Sequence, residues 1–403
     1  MAQLSGSASF AALLPLFSAP VNTRLYTPGS FGQLAMVMAI TSLLVIPYVA
    51  GFSRVILLAK SATDADNNFR SLVSTLTLPC FLLTVLAPMS AIFGKEILLL
   101  SVFSVISFAL ASFLSLGTSW LIFNSRFKEL SSIRISQAFS AAFFSITLGF
   151  LGMGGLGILF GHILGQFFGV VLLWRFVPSF NFRLRSAFQT IASTVNSNKL
   201  FFVTSLPAEI LNTVTRVMPA FMFSIFLGPT FLGHFNMASR LLDLPASLIS
   251  SAFSQYFQGL AINRNTAGKP LLPLVLSYSF VVFVVGAPFF VLGTSYAPNL
   301  ADWVLGDDWR VSGEIAQYLS IYVFLRMVVS PVTFVIFLNK AFIVSLIMDI
   351  VLAVAVFIGL FVSLYFFENS WLAVLCFSVI YSLSYLVSFG LVCYFANKPA
   401  IRK

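Results

Sequence analysis

Apolar runs of about twenty residues, separated by short polar connections, recur along the whole chain. A helix needs about that length to cross the roughly 30 Å hydrocarbon core of a bilayer. Twelve such runs are predicted, near 4–21, 32–58, 71–93, 97–123, 132–151, 154–177, 199–227, 231–257, 271–297, 313–337, 341–367 and 371–396. The first is serine-rich and interrupted by Pro15 and Pro20. It lacks a basic leader and is followed by Asn22-Thr23-Arg24, so it reads as a membrane segment rather than a cleavable signal.

Two adjacent runs depart from the apolar pattern. Between Lys199 and Gly228, Glu209, Asn212, Thr213 and Arg216 recur at helical spacing and share a face. After the turn Gly228-Pro229-Thr230, the residues Asn236, Arg240, Asp243, Ser247, Ser250 and Ser254 step by threes and fours down the next helix. A charge at the bilayer centre costs at least about 2.5–3.5 kcal/mol and normally faces a partner or a water-filled cavity. Two polar stripes on neighbouring segments therefore predict a wet interior space, and with it a transport pathway.

Composition agrees with an all-α, polytopic membrane protein. Of 403 residues 59% are hydrophobic and only 8% charged, with mean hydropathy +1.00, whereas soluble domains are about a quarter charged. The net charge of +10 would point to nucleic acid in a soluble chain. Here it comes from lysines and arginines in the connections, so no nucleic-acid partner is expected. With both termini in the cytoplasm, fifteen basic residues fall in inside connections and three (Arg24, Lys95, Arg310) outside, a strong positive-inside bias. All five tryptophans lie at segment ends or in a loop, where an aromatic belt would sit. Cys80, Cys376 and Cys393 lie in apolar segments and imply neither a disulfide framework nor a metal site, and no cofactor is expected.

The longest connection, Pro178–Asn198, divides the chain into an N-terminal six-helix bundle (1–177) and a C-terminal one (199–403), joined by a cytoplasmic linker (178–198). Phe182, Leu184, Phe188, Ile191 and Val195 of that linker fit an amphipathic surface helix. Thr27-Pro28-Gly29-Ser30-Phe31-Gly32 before the second run is echoed by Gly228-Pro229-Thr230-Phe231-Leu232-Gly233 before the eighth, as a parallel duplication would leave it. Gly157, Gly161, Gly165 and Gly169 form a smooth ridge that suits close packing, either inside the first bundle or, less simply, in a dimer.

Four arginines (Arg54, Arg216, Arg240, Arg326) and three carboxylates (Glu209, Asp243, Asp349) remain inside the runs. Arg216, Arg240 and Arg326 sit roughly 14–26 Å of helix rise from either end, too deep to snorkel; Arg54 is within reach of the surface. Arginine's fork of donors matches phosphate, so these four are candidates for binding an anionic headgroup, and the carboxylates are candidates for ion coupling. Arg240 and Asp243, three apart, could instead neutralise each other. His162 and His234 are explained by packing. No nucleophile–base pair, metal-ligand cluster or phosphate loop appears, which argues against an enzyme.

Arg24-Leu25-Tyr26-Thr27-Pro28 with Phe31-Gly32, Leu211-Asn212 with Pro219, and above all the run Leu232–Pro245 (LGHFNMASRLLDLP) resemble the Wzx-type oligosaccharide-lipid flippases of the multidrug/oligosaccharidyl-lipid/polysaccharide exporter superfamily. The resemblance implies a MATE-like fold of two six-helix bundles with a central cavity. It further implies alternating-access transfer of polyprenyl-diphosphate-linked oligosaccharides across a bacterial inner membrane for surface polysaccharide such as O-antigen, with polymerase and chain-length proteins as partners. Arg240 is the one cavity residue on a matched motif position. A peptidoglycan-precursor flippase and a MATE-type drug or cation antiporter are the alternatives.

Overall fold

In the computed structural model, which describes residues 2–57, 59, 61–178, 199–339 and 341–397, the chain is helical throughout the described residues. The order is α1 (Ala2–Leu25), α2 (Pro28–Leu57), α3 (Ala62–Leu86), α4 (Lys95–Phe123), α5 (Phe127–Phe150), α6 (Gly155–Trp174), α7 (Lys199–Thr266), α8 (Leu272–Ser295), α9 (Ala297–Leu305), α10 (Arg310–Val329), α11 (Phe334–Leu338), α12 (Phe342–Phe361) and α13 (Ser370–Ala396). The surface helix expected in the linker lies outside the described residues.

Each expected apolar run falls on a helix. Nine helices among the described residues are long and apolar enough to cross a membrane. The difference from twelve has three sources. The runs near 199–227 and 231–257 are continuous in α7, broken only at Gly228, whose φ of +81° is a left-handed value open to glycine. The apolar part of α8 is the shorter Leu272–Pro288, and the serine-rich α1 is not one of the nine. The protein is a multi-pass, all-α membrane protein.

By their contacts the residues group into two compact units, Met1–Ser224 and Ile225–Lys403. In the first, α5 packs along α6, α4 lies against α2, α3 and α6, and α1 lies against α5. A buried apolar cluster in it includes Phe69, Leu72, Phe108, Leu116, Trp120, Leu121 and Leu173. The glycine ridge of α6 is used inside this unit. A Cβ on Gly161 would stand 2.8 Å from the Ser145 backbone, and one on Gly165 would stand 2.5 Å from the Ala141 Cβ. The ridge thus brings α6 onto α5 at backbone distance, and the packing reading holds over the dimer reading. Gly157 makes room for Tyr26, whose buried hydroxyl donates to the Ser145 carbonyl at 2.5 Å. The Arg24–Gly32 motif therefore ties the α1–α2 turn to α5 and α6. Pro28 then opens α2 at a position where a missing N–H costs nothing.

His162 joins Gln166 (2.9 Å) and Ser107 (3.4 Å) in a polar knot between α6 and α4, and Gln166 Nε2 also donates to Ser107 Oγ at 3.0 Å. In a membrane-spanning unit such a knot satisfies its own polar groups and links two helices.

The second unit is built on α10, which packs against α8, α9 and α13; α13 also carries α12. The aromatic-belt expectation needs correction here. Trp303 is 80% exposed as a belt residue should be, but Trp309 is fully buried, packed edge-on against His234 with ring centroids 5.6 Å apart. His234 Nδ1 in turn lies 3.0 Å from Ser312 Oγ. Trp120 in the first unit is likewise buried, its indole N–H donating to Asp66 at 2.7 Å and its ring beneath Arg126. Each of these two rings has protein partners, which hold it in the interior.

Replacing Gly165 by Val should destabilise the first unit by about 1–3 kcal/mol, the usual cost of overpacking. Gly390, with nothing within 4 Å of its position, should accept Ala without loss. Thermal unfolding of the two variants in detergent checks this; an unchanged midpoint for Gly165→Val would contradict the ridge packing.

Candidate functional site

The second half of α7 and the end of α10 border an open pocket of about 560 Å³ within the second unit. Its lining includes Arg240, Asp243, Ser247, Ser250, Ser251 and Ser254 from α7, Arg326 from α10, and Ser330 just beyond it. On α7 Arg240, Asp243, Ser247, Ser250 and Ser254 step by threes and fours, with Ser251 four residues after Ser247, and so occupy one face. This is the predicted stripe, and the structure opens space beside it.

Proline explains why α10 yields there. After Val329 the helix tightens into a 3-10 turn over Ser330–Thr333. Pro331 has no N–H to offer the carbonyl four residues back, that of Met327. Ser250 serves that carbonyl instead, its hydroxyl donating across from α7 at 3.4 Å. One substitution-sensitive contact thus both ties the helices together and satisfies a buried acceptor.

At the charged end of the cavity Arg326 donates to the Asp243 carboxylate in an ion pair between helices. The two side chains keep 30% and 44% of their surface accessible, so the pair borders open space rather than a dry core. The Arg326 guanidinium also lies 5.8 Å from the buried Tyr322 ring, close enough for a cation–π contribution. Tyr322 is in turn held against Phe377 and Tyr381 of α13. Arg326 is therefore positioned from three sides, by a carboxylate, a ring and the cavity. Spacing offers Arg240 as one partner for Asp243; in the structure the Asp243 carboxylate accepts from Arg326, 83 residues away on α10. Charges +1, +1 and −1 on Arg240, Arg326 and Asp243 leave the site with one net positive charge when all three ionise.

The remaining candidates are spread over the chain. Arg216 and Glu209 lie on the part of α7 in the first unit; Arg216 is exposed, and Glu209 is half-buried. Asp349 is on α12, in register with the buried Ala353, Val356 and Leu360 and so on the packed face of that helix. Arg54 belongs to α2, but its side chain lies outside the described residues. The structure thus brings together Arg240, Asp243 and Arg326. It adds Ser251, Ser330 and Tyr322, which the stripe reading did not single out. Ser251, four residues after Ser247 and three before Ser254, shares the helical spacing of the stripe, whereas Ser330 carries a signal only once α7 and the Pro331 turn are known to face each other.

The sequence model of a family described as polysaccharide biosynthesis protein matches residues 21–314. A search among curated proteins finds no match. Among solved structures, the chain is similar to the lipid II flippase MurJ in an inward closed conformation, with TM-score 0.72, 13% identity, and coverage of 97% of this chain and 87% of that one. It is similar also to the MATE multidrug transporter DinF-BH in complex with R6G (TM-score 0.62, 14% identity, 98% and 96% covered). A third is an inward-facing multidrug resistance MATE family transporter of the MOP superfamily (TM-score 0.59, 16% identity, 97% and 94% covered). At these identities the likeness establishes the fold, that of the MOP-superfamily transporters. With most of its length matched by the family and its helices arranged in that fold, the chain belongs to the polysaccharide biosynthesis protein family.

Proposed function

We propose that the protein is a flippase. It would carry polyprenyl-diphosphate-linked oligosaccharide units from the cytoplasmic to the outer leaflet of a bacterial inner membrane for surface polysaccharide assembly. The observation that carries this reading is the cavity with Arg240, Arg326 and Asp243 at one end and hydroxyls along its wall, set among membrane-spanning helices. Membership of a polysaccharide biosynthesis family supports it.

The physical problem fits such a site. A polyprenyl tail gains about 0.8 kcal/mol per buried CH₂ and stays in the bilayer, while a hydrated glycan with a diphosphate cannot enter hydrocarbon. A pocket with guanidinium groups and hydroxyls in its wall would take the headgroup and leave the tail in lipid. Arg240 and Arg326 would hold the diphosphate through charge-assisted bonds. The Asp243 carboxylate pairs with Arg326, so an arriving phosphate would compete with it. Arg216 and Arg54 would serve the headgroup elsewhere on its path, and Glu209, Asp243 and Asp349 are the places to look for ion coupling. The chain would work as two six-helix halves, 1–177 and 199–403, making twelve crossings with both termini in the cytoplasm. Polysaccharide polymerase and chain-length proteins would act next. Movement of negative charge outward gains about 2.3 kcal/mol per charge per 100 mV of inside-negative potential.

Hydrogen bonds to charged groups contribute about 1.5–3 kcal/mol each. Replacing Arg240, Arg326 or Arg216 by Ala should therefore lower glycan export in a complemented deletion strain by about tenfold or more at unchanged protein abundance. Normal export by Arg240→Ala and Arg326→Ala cells would overturn the anion-site reading. The ion pair has its own check. A double-mutant cycle on Asp243→Ala and Arg326→Ala, followed by thermal unfolding in nanodiscs, should give a coupling of about 0.5–3 kcal/mol; strict additivity would mean the two side chains do not interact.

A further inference from the structure

The turn between α4 and α5 and the end of α6 gather basic side chains at one end of the first unit. The apolar spans of α5 and α6 are Phe127–Phe150 and Gly155–Trp174. Arg126 and Arg175 therefore each stand one residue beyond a span, with Lys128 in the first turn of α5. Ser125 holds the turn in a left-handed conformation, φ +56°, which is uncommon outside glycine. The chain folds back there, with the Arg126 N–H on the Leu121 carbonyl at 2.9 Å. The Arg126 guanidinium lies 5.4 Å from the centroid of the buried Trp120 ring. Its Nη1 donates to the Phe176 carbonyl, just past α6, at 3.5 Å. That contact brings the start of α5 and the end of α6 together around one guanidinium.

A guanidinium held by a ring face and one carbonyl keeps most of its N–H donors free. Among the described residues, none of Arg126, Lys128 and Arg175 forms an ion pair, and all three are exposed. Of the nearby carboxylates, Glu129 is half-buried and Asp66 accepts the Trp120 indole N–H. Trp174, next to Arg175, is 59% exposed and ends its span, at the depth where indole rings favour the headgroup layer. Inward from these charges the exposed wall of α5 and α6 is aromatic. Phe139 and Phe143 stack with ring centroids 6.3 Å apart, and Phe144 stacks on Phe168 at 5.3 Å, joining the two helices. Phe168 lies about 10 Å of helix rise from Arg175, which is the depth of acyl chain below a headgroup.

We propose that this end of the first unit is a binding site for an anionic phospholipid of the surrounding membrane. Arg126, Lys128 and Arg175 hold its phosphate, and its acyl chains lie along the aromatic wall. Unpaired cations at headgroup level, with an apolar wall running inward from them, match a lipid charged at one end, and basic pockets at the ends of spanning helices recognise anionic headgroups. A zwitterionic phospholipid brings an ammonium into the same cations and gains less. These charges stand at span ends, where phospholipid phosphates lie, whereas Arg240 and Arg326 lie within spans. The site belongs to the first unit alone and is independent of the anion-site reading above.

Quenching of tryptophan emission by brominated lipid tests this on the full-length protein in nanodiscs. The probes are phosphatidylglycerol and phosphatidylcholine, brominated near the glycerol end of the same acyl chain, each titrated into unbrominated phosphatidylcholine. The Trp174 signal is the difference between wild type and Trp174→Phe. Brominated phosphatidylglycerol should quench it at about a tenfold lower mole fraction than brominated phosphatidylcholine. In the Arg126→Gln/Lys128→Gln/Arg175→Gln protein, shown to be folded by its thermal midpoint, that preference should fall to about one. Lys95→Gln, at the other end of α4, should leave it unchanged. Equal quenching of wild type by the two lipids, a comparison that needs no charge variant, would overturn the site, as would an undiminished preference in the glutamine protein. Farnesyl diphosphate that displaces the brominated phosphatidylglycerol better than unbrominated phosphatidylglycerol does would assign the surface to the lipid-linked cargo and overturn the proposal as well.

Discussion

An ion pair within a membrane-spanning helical unit is the constraint around which the second unit is arranged. Bringing a guanidinium and a carboxylate out of water costs several kcal/mol per ion, and their attraction repays this only with good geometry and further partners. Arg326 has both. Asp243 meets it from another helix, Tyr322 lies alongside, and the pocket leaves part of the pair accessible. A pair of apolar residues would hold the helices together at lower cost. That the charges stand beside open volume is the physical reason to connect them with an anionic ligand rather than with stability alone.

The surroundings follow from that pair. Pro331 breaks the hydrogen-bond ladder of α10 one turn beyond Arg326, and Ser250 of α7 answers the carbonyl thereby released. The same helix face supplies Arg240, Asp243 and the serines, so a single amphipathic stripe furnishes the charged end of the cavity, its wall and its link to α10. On the proposed function, this gives one open pocket that holds a diphosphate at its guanidinium donors. The Asp243 carboxylate offsets one of the two guanidinium charges and leaves the site with one net positive charge when all three ionise.

Much of this was legible in the sequence, and what was not has a common cause. Helical spacing reports which residues share a face of one helix, so the stripe from Asn236 to Ser254 and the glycine ridge of α6 could be read directly. Spacing says nothing of what stands opposite. The partner of Asp243 lies 83 residues away, and the surface that receives the ridge is the Ala141–Ser145 stretch of α5. Position along a segment similarly reports depth but not orientation, which is why spacing groups Trp120 and Trp309 with the belt while the structure buries both. The motif around Tyr26 carried the family resemblance; its physical work is to pin the first connection into the groove at Gly157. Length and hydropathy alone divide the apolar runs less finely than their polar punctuation does, since a single left-handed glycine at position 228 is all that separates two of them.

The central claim is that the cavity beside the Arg326–Asp243 pair is hydrated and takes a diphosphate, and thiol accessibility tests it most directly. In protein freed of Cys80, Cys376 and Cys393, a Ser247→Cys thiol in nanodiscs should react with a charged, membrane-impermeant maleimide. Farnesyl diphosphate should slow that reaction, while an Ala353→Cys thiol on the packed face of α12 should stay unreactive. A Ser247→Cys thiol that resists the reagent, or that reacts at the same rate with and without farnesyl diphosphate, would contradict the account.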